Sequence, residues 1–464
     1  MISLRFQPVC LRLAALAFGF SAISGSGGAN PAATNDLDWL GKPLSLVDCL
    51  NIALTQNSAI LKGKSDVEAA CGVVVQTRAV AIPKLQGTGS YQWTDQLEEL
   101  TIAPGESFSF QRENQWSAGI RVVQSIYEGG RIKAALRTAK LTKKQALQLY
   151  QAVVADALLQ VRVGYYDVLL AAQQIEVQKA SLALLKRELE DATQRFEAGT
   201  VPRFNVLRAG VAVANARPLL IRAENAHRIA KNNLANLIGY NLPAKVWEDI
   251  PLLLTGTLQP EPYSIELPAA LALALERRPE LAALRSVEAL RREAIKTAQA
   301  GYLPSVQLFA GHAWRNATFQ KDVATDVAGW NAGAQVTWNF FDGLQTKGKV
   351  QEARALREKA RLELEDNIRR VELEVRTACS TLIEAKEVLA SQERVQEQAD
   401  EALRLANSRA EAGTGTQLDV LDAQTSLTQA RTTQIQARRD YLAAKARLER
   451  AIGADVMPAA AEAK

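Results

Sequence analysis

The sequence is poor in the residues that usually carry chemistry. Its 464 residues include 2 histidines and 4 cysteines, and aromatic residues make up only 6%. His227 and His312 are isolated, one expected on a helix and one in a strand, without a Cys, Glu or Asp cluster at ligand spacing, which leaves no constellation for a metal ion or for histidine-based catalysis. No G-x-S-x-G, phosphate-binding or dinucleotide fingerprint appears in a supporting context, and Gly129-Gly130 reads as a bend from strand to helix. No catalytic, cofactor-binding or metal-binding residue is therefore assigned. Beyond the first thirty residues no apolar run approaches the ~18 that a membrane-spanning helix needs, so a helical membrane protein is excluded. Basic and acidic residues nearly balance, 55 against 50, and are spread along the chain, which argues against a nucleic-acid partner. A chain that is 48% hydrophobic and 23% charged is also no disordered segment.

The N-terminus carries its own signal. Arg5 and Arg12 precede an apolar core from Leu13 to Ile23, and small residues follow from Ser24 to Ala29. This is the order of a secretory signal peptide, expected over residues 1–29. Cys10 lies before the apolar core, where no lipid anchor is attached. Cys49, Cys71 and Cys379 remain, an odd number without a disulfide pattern. Cys49 and Cys71 are expected on one helix, about 33 Å apart and beyond bridging. All three read as small buried hydrophobes.

Proline is absent where it matters. None of the 15 prolines falls between Pro104 and Pro202 or between Pro304 and Pro458. An internal proline costs a helix ~3 kcal/mol, so these gaps mark helices. The runs Gly130–Glu197 and Leu344–Ala412 would each form a helix ~100 Å long, interrupted only by Gly164 and Gly348. Helices of this length need lateral partners. Leu182, Leu185, Leu189, Ala192 and Phe196 supply one coiled-coil seam; Ala399, Leu403, Ala406 and Ala410 form a stripe of mostly small residues that admits close backbone approach.

The chain also repeats itself. Arg195–Arg217 and Arg409–Arg431 align without gaps at ten identities, including Glu197/Glu411, Gly199/Gly413 and Val206-Leu207/Val420-Leu421. The same offset pairs Trp116 with Trp330, Gly129 with Gly343 and Gly239 with Gly453; upstream of a longer loop around Pro104, it grows by seven residues. A tandem duplication accounts for this. It divides the chain into a first repeat over 44–240, a connection over 241–263, a second repeat over 264–453 and a tail over 454–464. Each repeat reads as a short helix, a strand hairpin, a very long helix, a turn and a long returning helix.

The strands alternate. Trp330, Ala332, Ala334, Val336, Trp338 and Phe340 share one face, against Asn331, Gly333, Gln335, Thr337 and Asn339. In the first repeat Trp116, Ala118, Ile120, Val122 and Ile126 oppose Ser117, Gly119, Arg121 and Ser125. Leu85, Tyr91 and Trp93, like Val306, Leu308 and Trp314, belong to the preceding strand of each hairpin. Trp116, Trp330 and Trp338 are accordingly expected to face lipid, and Asn331, Gln335, Thr337 and Asn339 a wet lumen. Four strands cannot close a barrel, and an open sheet in lipid leaves two unpaired edges. Closure needs further copies of the chain; three would give twelve strands.

With these features together, the chain resembles the TolC-like outer-membrane efflux protein family. The residues that carry the likeness are Tyr127-Glu128-Gly129-Gly130-Arg131 and Phe341-Asp342-Gly343 at the strand-to-helix joints, Leu303-Pro304-Ser305 before a strand, and the run Gly413-Thr414-Gly415-Thr416-Gln417-Leu418-Asp419-Val420-Leu421-Asp422-Ala423. The likeness extends from about Leu44 to Gly453. It implies a mainly α fold with a small membrane β part: a homotrimer whose long helices form a periplasmic α-barrel and whose strands share a 12-stranded barrel in outer-membrane lipid. It further implies a passive exit duct rather than an enzyme, in a tripartite efflux or type I secretion system. Gly199, Thr200, Gly413 and Thr414 would then lie at the inward tip, meeting a periplasmic adaptor and an inner-membrane pump of RND or ABC type.

Asp419 and Asp422 match acids that line the channel entrance in that family, and their spacing puts both on one helix face. Repeated by symmetry they would form acidic rings favouring cations. Thr416 and Asp419 equally read as a capping box. The first repeat departs, with Asn205 and Arg208 at these positions, and Ala410 and Gly415 replace an aromatic and a basic residue that help close the entrance in some relatives. The rival reading is an exported helical scaffold or adhesin without transport activity. It explains the helices, but gives no reason for amphipathic hairpins in both repeats.

Overall fold

The computed structural model describes residues 41–95, 99–103, 106–109, 114–241, 249–316 and 326–454. The expected signal peptide, residues 242–248 of the connection and nearly all of the tail lie outside them. The first half runs β1 (Pro43–Leu44), α1 (Leu46–Gln56), α2 (Ser58–Arg78), β2 (Lys84–Trp93), β3 (Glu99–Ala103), β4 (Glu106–Ser109), β5 (Asn114–Glu128), α3 (Arg131–Glu197) and α4 (Arg203–Leu237). The second runs β6 (Leu253–Leu254), α5 (Leu267–Arg277), α6 (Pro279–Gln299), β7 (Ser305–Asn316), β8 (Asp326–Thr337), α7 (Gln345–Glu411) and α8 (Gln417–Ala451). The repeat is kept to the residue: α1 and α5 have 11 residues, α2 and α6 21, α3 and α7 67, α4 and α8 35. Helix α4 carries Pro218 in its interior yet runs on without a break, so the proline rule marks α3 and α7 but not every helix.

The leading helix of each half differs from the expectation: it is two helices, broken at an extended residue, Asn57 (ψ 125°) or Arg278 (ψ 122°). The break is made by a distant part of the chain. Asn57 caps α2 by accepting from the Ala59 and Ile60 amides, while its Nδ2 donates to the carbonyl of Leu237, at the end of α4, at 2.6 Å. Helices α2 and α4 therefore meet end to end beside α3. Gly239 (φ 86°) turns the chain at this junction, and a Cβ there would collide with the Gln56 carbonyl. At the second junction Arg278 is buried and holds Glu374 of α7 through two hydrogen bonds of 2.6 and 2.7 Å. Cys49 and Cys71 thus occupy different helices, and all three described cysteines are free. Only Cys49 is fully buried, its thiol pushed up to about 12 chiefly by that burial; Cys71 and Cys379 are half-buried, so the small-hydrophobe reading fits the first alone.

Helix α3 packs against α2, α4, α6 and α8, and α7 against α6 and α8. The stripe Ala399, Leu403, Ala406 and Ala410 receives Val420, Ala423 and Leu427 of α8, making it the seam of its own hairpin. The halves are joined along α3 and α8 by three ionic clusters: Arg162–Glu449 at 2.7 Å, Asp167–Arg439 at 2.6 Å, and Arg450 with Asp156 at 2.7 Å and with Glu280. The main core sits midway, where α1, α5 and the segment 249–258 pack Cys49, Ile250 and Leu258 against Leu158, Val375 and Leu448. Equivalent positions of the returning helices grip the connection. Lys231 bonds Asp249 at 3.0 Å, and Lys445 bonds Glu261 at 3.1 Å while Tyr441 donates to the Glu261 carbonyl.

The four expected strands form one antiparallel sheet in the order β2-β5-β7-β8, so the two hairpins join through β5 and β7. Two further pairs accompany it: β3 with β4 inside the longer first loop, and β1 parallel to β6. Strand β8 ends at Thr337, opposite Ser305, the first residue of β7. Trp338, Asn339 and Phe340 therefore lie past the strand, correcting the longer alternation read from sequence; within one chain no partner strand remains for them. The joint beyond is tight. Leu344 adopts φ 69° where the first half has Gly130, and Asp342 accepts from the Thr346 amide at 2.8 Å.

Candidate functional site

The sheet separates two chemistries by register alone. Tyr91, Trp116, Ile120, Val122, Leu308, Trp314, Trp330 and Val336 occupy one face. The other carries Gln86, Ser90, Ser117, Arg121, Arg315, Asn331, Gln335 and Thr337. The sequence-predicted positions Trp116 and Trp330 thus share the apolar face, and Asn331, Gln335 and Thr337 the polar one. Trp338 sits at the helix-side rim, donating its indole N–H to the Tyr302 carbonyl at 3.2 Å and packing on Phe340. Asn339 lines a small cavity with Glu128, Arg131 and Thr346 and with Ser305 and Thr337 at the end of the polar face. A bulge at Ser125–Tyr127 sets Ile126 and Tyr127 together opposite Val306, so both continue the apolar face where strict alternation would have turned one away.

Three features of the sheet escaped the sequence reading. His312 lies on the apolar face between Trp314 and Trp330, with ring centroids 4.4 and 4.9 Å away. Phe309 breaks the polar face, and the Arg121 guanidinium lies 4.2 Å from its ring centroid. Asn316 ties the loop-side rim, accepting from the Trp116 amide and donating to the Asn114 carbonyl. Cross-strand alternation could have placed each on its face; the stacking depends on a register that sequence does not print.

At the far end of the long helices the two hairpin turns are built alike. Gly199 (φ 74°) and Gly413 (φ 75°) take the left-handed position, and the amides and hydroxyls of Thr200 and Thr414 close on the Arg195 and Arg409 carbonyls. The returning helices then start differently. Pro202 gives α4 no side-chain cap, whereas Thr416 and Asp419 form a reciprocal capping box at α8. The Asp419 carboxylate accepts from the Thr416 amide and hydroxyl, both at 2.8 Å, and these bonds hold its pKa below the usual aspartate range. Asp422 follows one turn later, and both acids are exposed.

Between the hairpins opens a cleft of about 800 Å³, lined by Arg187, Glu188, Asp191, Arg195, Asn205, Arg208 and Glu411 among others. Asn205 and Arg208 face this cleft, while Asp419 and Asp422 stand outside it. Burial, reinforced by the like charge of Asp191, raises the Glu188 pKa. Glu188 and Asp191 went unnoticed in the sequence because the partner hairpin that encloses them is distant in the chain.

A sheet with one apolar and one polar face, carried on helical hairpins far longer than any compact core requires, defines a duct of the outer-membrane channel class. Among the described residues no helix is long and apolar enough to cross a membrane. The family model described as outer membrane efflux protein matches residues 49–240 and 270–454, and the chain belongs to that family. It is 26% identical to the outer membrane protein TolC of Vibrio cholerae, over 88% of this chain and 90% of that protein. It is 24% identical to the cobalt-zinc-cadmium resistance protein CzcC of Cupriavidus metallidurans, over 92% and 94% of the two chains. The CmeC outer membrane channel of Campylobacter jejuni shares the fold with a TM-score of 0.75 at 16% identity, covering 88% of this chain and 85% of that one. The protein is an outer-membrane efflux channel with a large helical extension.

Proposed function

We propose that three copies of the chain close one barrel and one helical tunnel, forming the passive exit duct of a tripartite efflux or secretion machine. The observation that carries this reading is the four-stranded sheet with β2 and β8 at its margins. Each margin offers unpaired backbone groups that lipid cannot satisfy. Pairing β8 of one copy with β2 of the next removes every edge, and three copies give a strand number within the range of bacterial outer-membrane barrels. The polar face of the sheet then lines the lumen and Trp116, Trp330 and Trp338 meet lipid. The signal peptide over 1–29 exports a chain of two repeats, 44–240 and 264–453.

The turns at Gly199-Thr200 and Gly413-Thr414 point away from the sheet and are proposed to meet a periplasmic adaptor, through which an RND or ABC pump supplies energy. Asp419 and Asp422, exposed on the first turns of α8, are proposed to ring the entrance, and the cap formed by Asp419 is compatible with that role because its second oxygen stays free. No step requires a catalytic group of this chain. The test is the native mass of the full-length protein extracted from membranes in detergent, after export. The expected result is a trimer of the processed chain recovered only from the membrane fraction; a soluble monomer would favour the scaffold reading instead.

A further inference from the structure

The exposed charges on the polar face of the sheet are all of one sign. They are Lys84 at the helix-side end of β2, Arg121 in the middle of β5 and Arg315 towards the loop-side end of β7. The two acids of the sheet stand at strand ends: Glu128, buried against Arg131, and Asp326, paired in register with Asn316. Glu128 is close enough to Lys84 to feel its charge. Arg121 and Arg315 have no ion-pair partner among the described residues.

Arg121 is held in place. Its guanidinium is stacked on Phe309, the one aromatic ring on this face among the described residues, and Phe309 lies on the bare backbone of Gly333, where a Cβ would come within 2.8 Å of the ring. Gly311, directly opposite Arg121, is closely packed: a Cβ there would come within 2.7 Å of the Ile120 carbonyl and 3.0 Å of Asn331 Oδ1, so only glycine fits beside the root of the arginine. Stacking satisfies the flat surface of the guanidinium and leaves its N–H donors turned outward. Arg315 stands in the row of Ser90 and Ser117, four residues or about 13 Å along the strands from the row of Gln86, Arg121 and Asn331.

We propose that Arg121 and Arg315 make the barrel section of the duct selective for anions, opposite in sign to the acidic tip. This deepens the preceding reading and rests on it, because the polar face must line a shared lumen. Each arginine then becomes a ring of three cationic donors on a wall of low dielectric. The rings lie about one Debye length apart at 0.1 M salt, so their fields overlap along the barrel. The ligands such rings recognise are small anions and the phosphate or carboxylate groups of larger solutes.

The test is the reversal potential of the full-length protein in planar bilayers under a KCl gradient. Asp419→Asn with Asp422→Asn serves as the parent, so that the acidic rings proposed at the entrance are neutralised. The parent is expected to prefer chloride. Adding Arg121→Gln and Arg315→Gln abolishes that preference, while Arg121→Lys with Arg315→Lys keeps it. The parent's preference also shrinks between about 0.1 M and 1 M salt, as screening contracts from about 10 Å to 3 Å. A conducting parent whose reversal potential is unmoved by the glutamines overturns the proposal and assigns selectivity to the loops. A protein that forms no conducting pore overturns the shared-lumen reading itself, and this one with it.

Discussion

At the residue scale, Asp419 and Asp422 separate two roles that sequence presents as one motif. Asp419 is tied to the start of α8 by the Thr416 amide and hydroxyl; Asp422 makes no such bond and is simply an exposed charge. Replacing Asp419 by Ala removes the carboxylate half of the reciprocal cap, and amide hydrogen exchange at Thr416 and at position 419 is expected to quicken; Asp422→Ala leaves it unchanged. The cap also has a pH dependence whose sign follows from the lowered pKa. Bonds that favour the ionised carboxylate contribute fully above the unfolded aspartate value near 4 and are lost as pH falls through the folded one. Protection at this turn, taken relative to the intrinsic exchange rate at each pH, should therefore fall below about pH 4 in the unsubstituted protein and show no such step in Asp419→Ala. Equal protection in both alanine variants would mean that the cap does not hold the turn.

At the element scale, the equal helix lengths of the two halves hide unequal joints. Gly239 and Gly453 occupy equivalent places after α4 and α8, both left-handed. At Gly239 a Cβ would run into the Gln56 carbonyl, which is backbone, whereas at Gly453 the nearest atom is the Arg277 Cβ at 3.1 Å. Gly239→Ala is expected to cost about 2 kcal/mol or more, and Gly453→Ala only the ~1 kcal/mol of its left-handed backbone. Thermal unfolding of the two variants side by side checks the order; equal losses would show that the α2–α4 junction yields. The same contrast shows what sequence can and cannot reveal here. The long helices, the duplication, the four strands and the α8 cap were all legible, because proline, alternation and capping act within a few residues. The break at Asn57 was not, because the groups that impose it lie at Leu237 and Gly239, across the bundle. Likewise Trp338 continues the alternation in sequence, yet β8 stops where β7 begins. The Phe309–Arg121 stack needs a cross-strand register, and the cleft around Glu188 needs a second hairpin.

At the scale of the whole molecule, the repeat makes a demand that one chain cannot meet. Within the chain α3 seals against α8, and the duplication maps that seam onto α7 and α4, which form no comparable seam with each other. Positions on the mapped faces are correspondingly uncovered. Ile435 is 7% exposed but its equivalent Ile221 is 57%; Ala443 is fully buried but Ile229 is 50% exposed; Leu159 is half-buried but Leu373 is 65% exposed. In the proposed trimer α7 of one copy covers α4 of the next and buries these side chains, each worth about 1.5–3 kcal/mol. The ionic clusters are not repeated there. Arg450 maps onto Asn236, Glu449 onto Ala235 and Arg439 onto Asn225. The seam between copies is thus apolar where the seam within a copy is ionic, and it should be indifferent to salt. Ile221→Glu and Leu373→Glu are expected to release monomers in detergent while helix content stays unchanged, whereas raising salt to about 1 M leaves the unsubstituted assembly intact. Dissociation by salt alone would place charged pairs at the seam and break the correspondence between the two halves on which this argument stands.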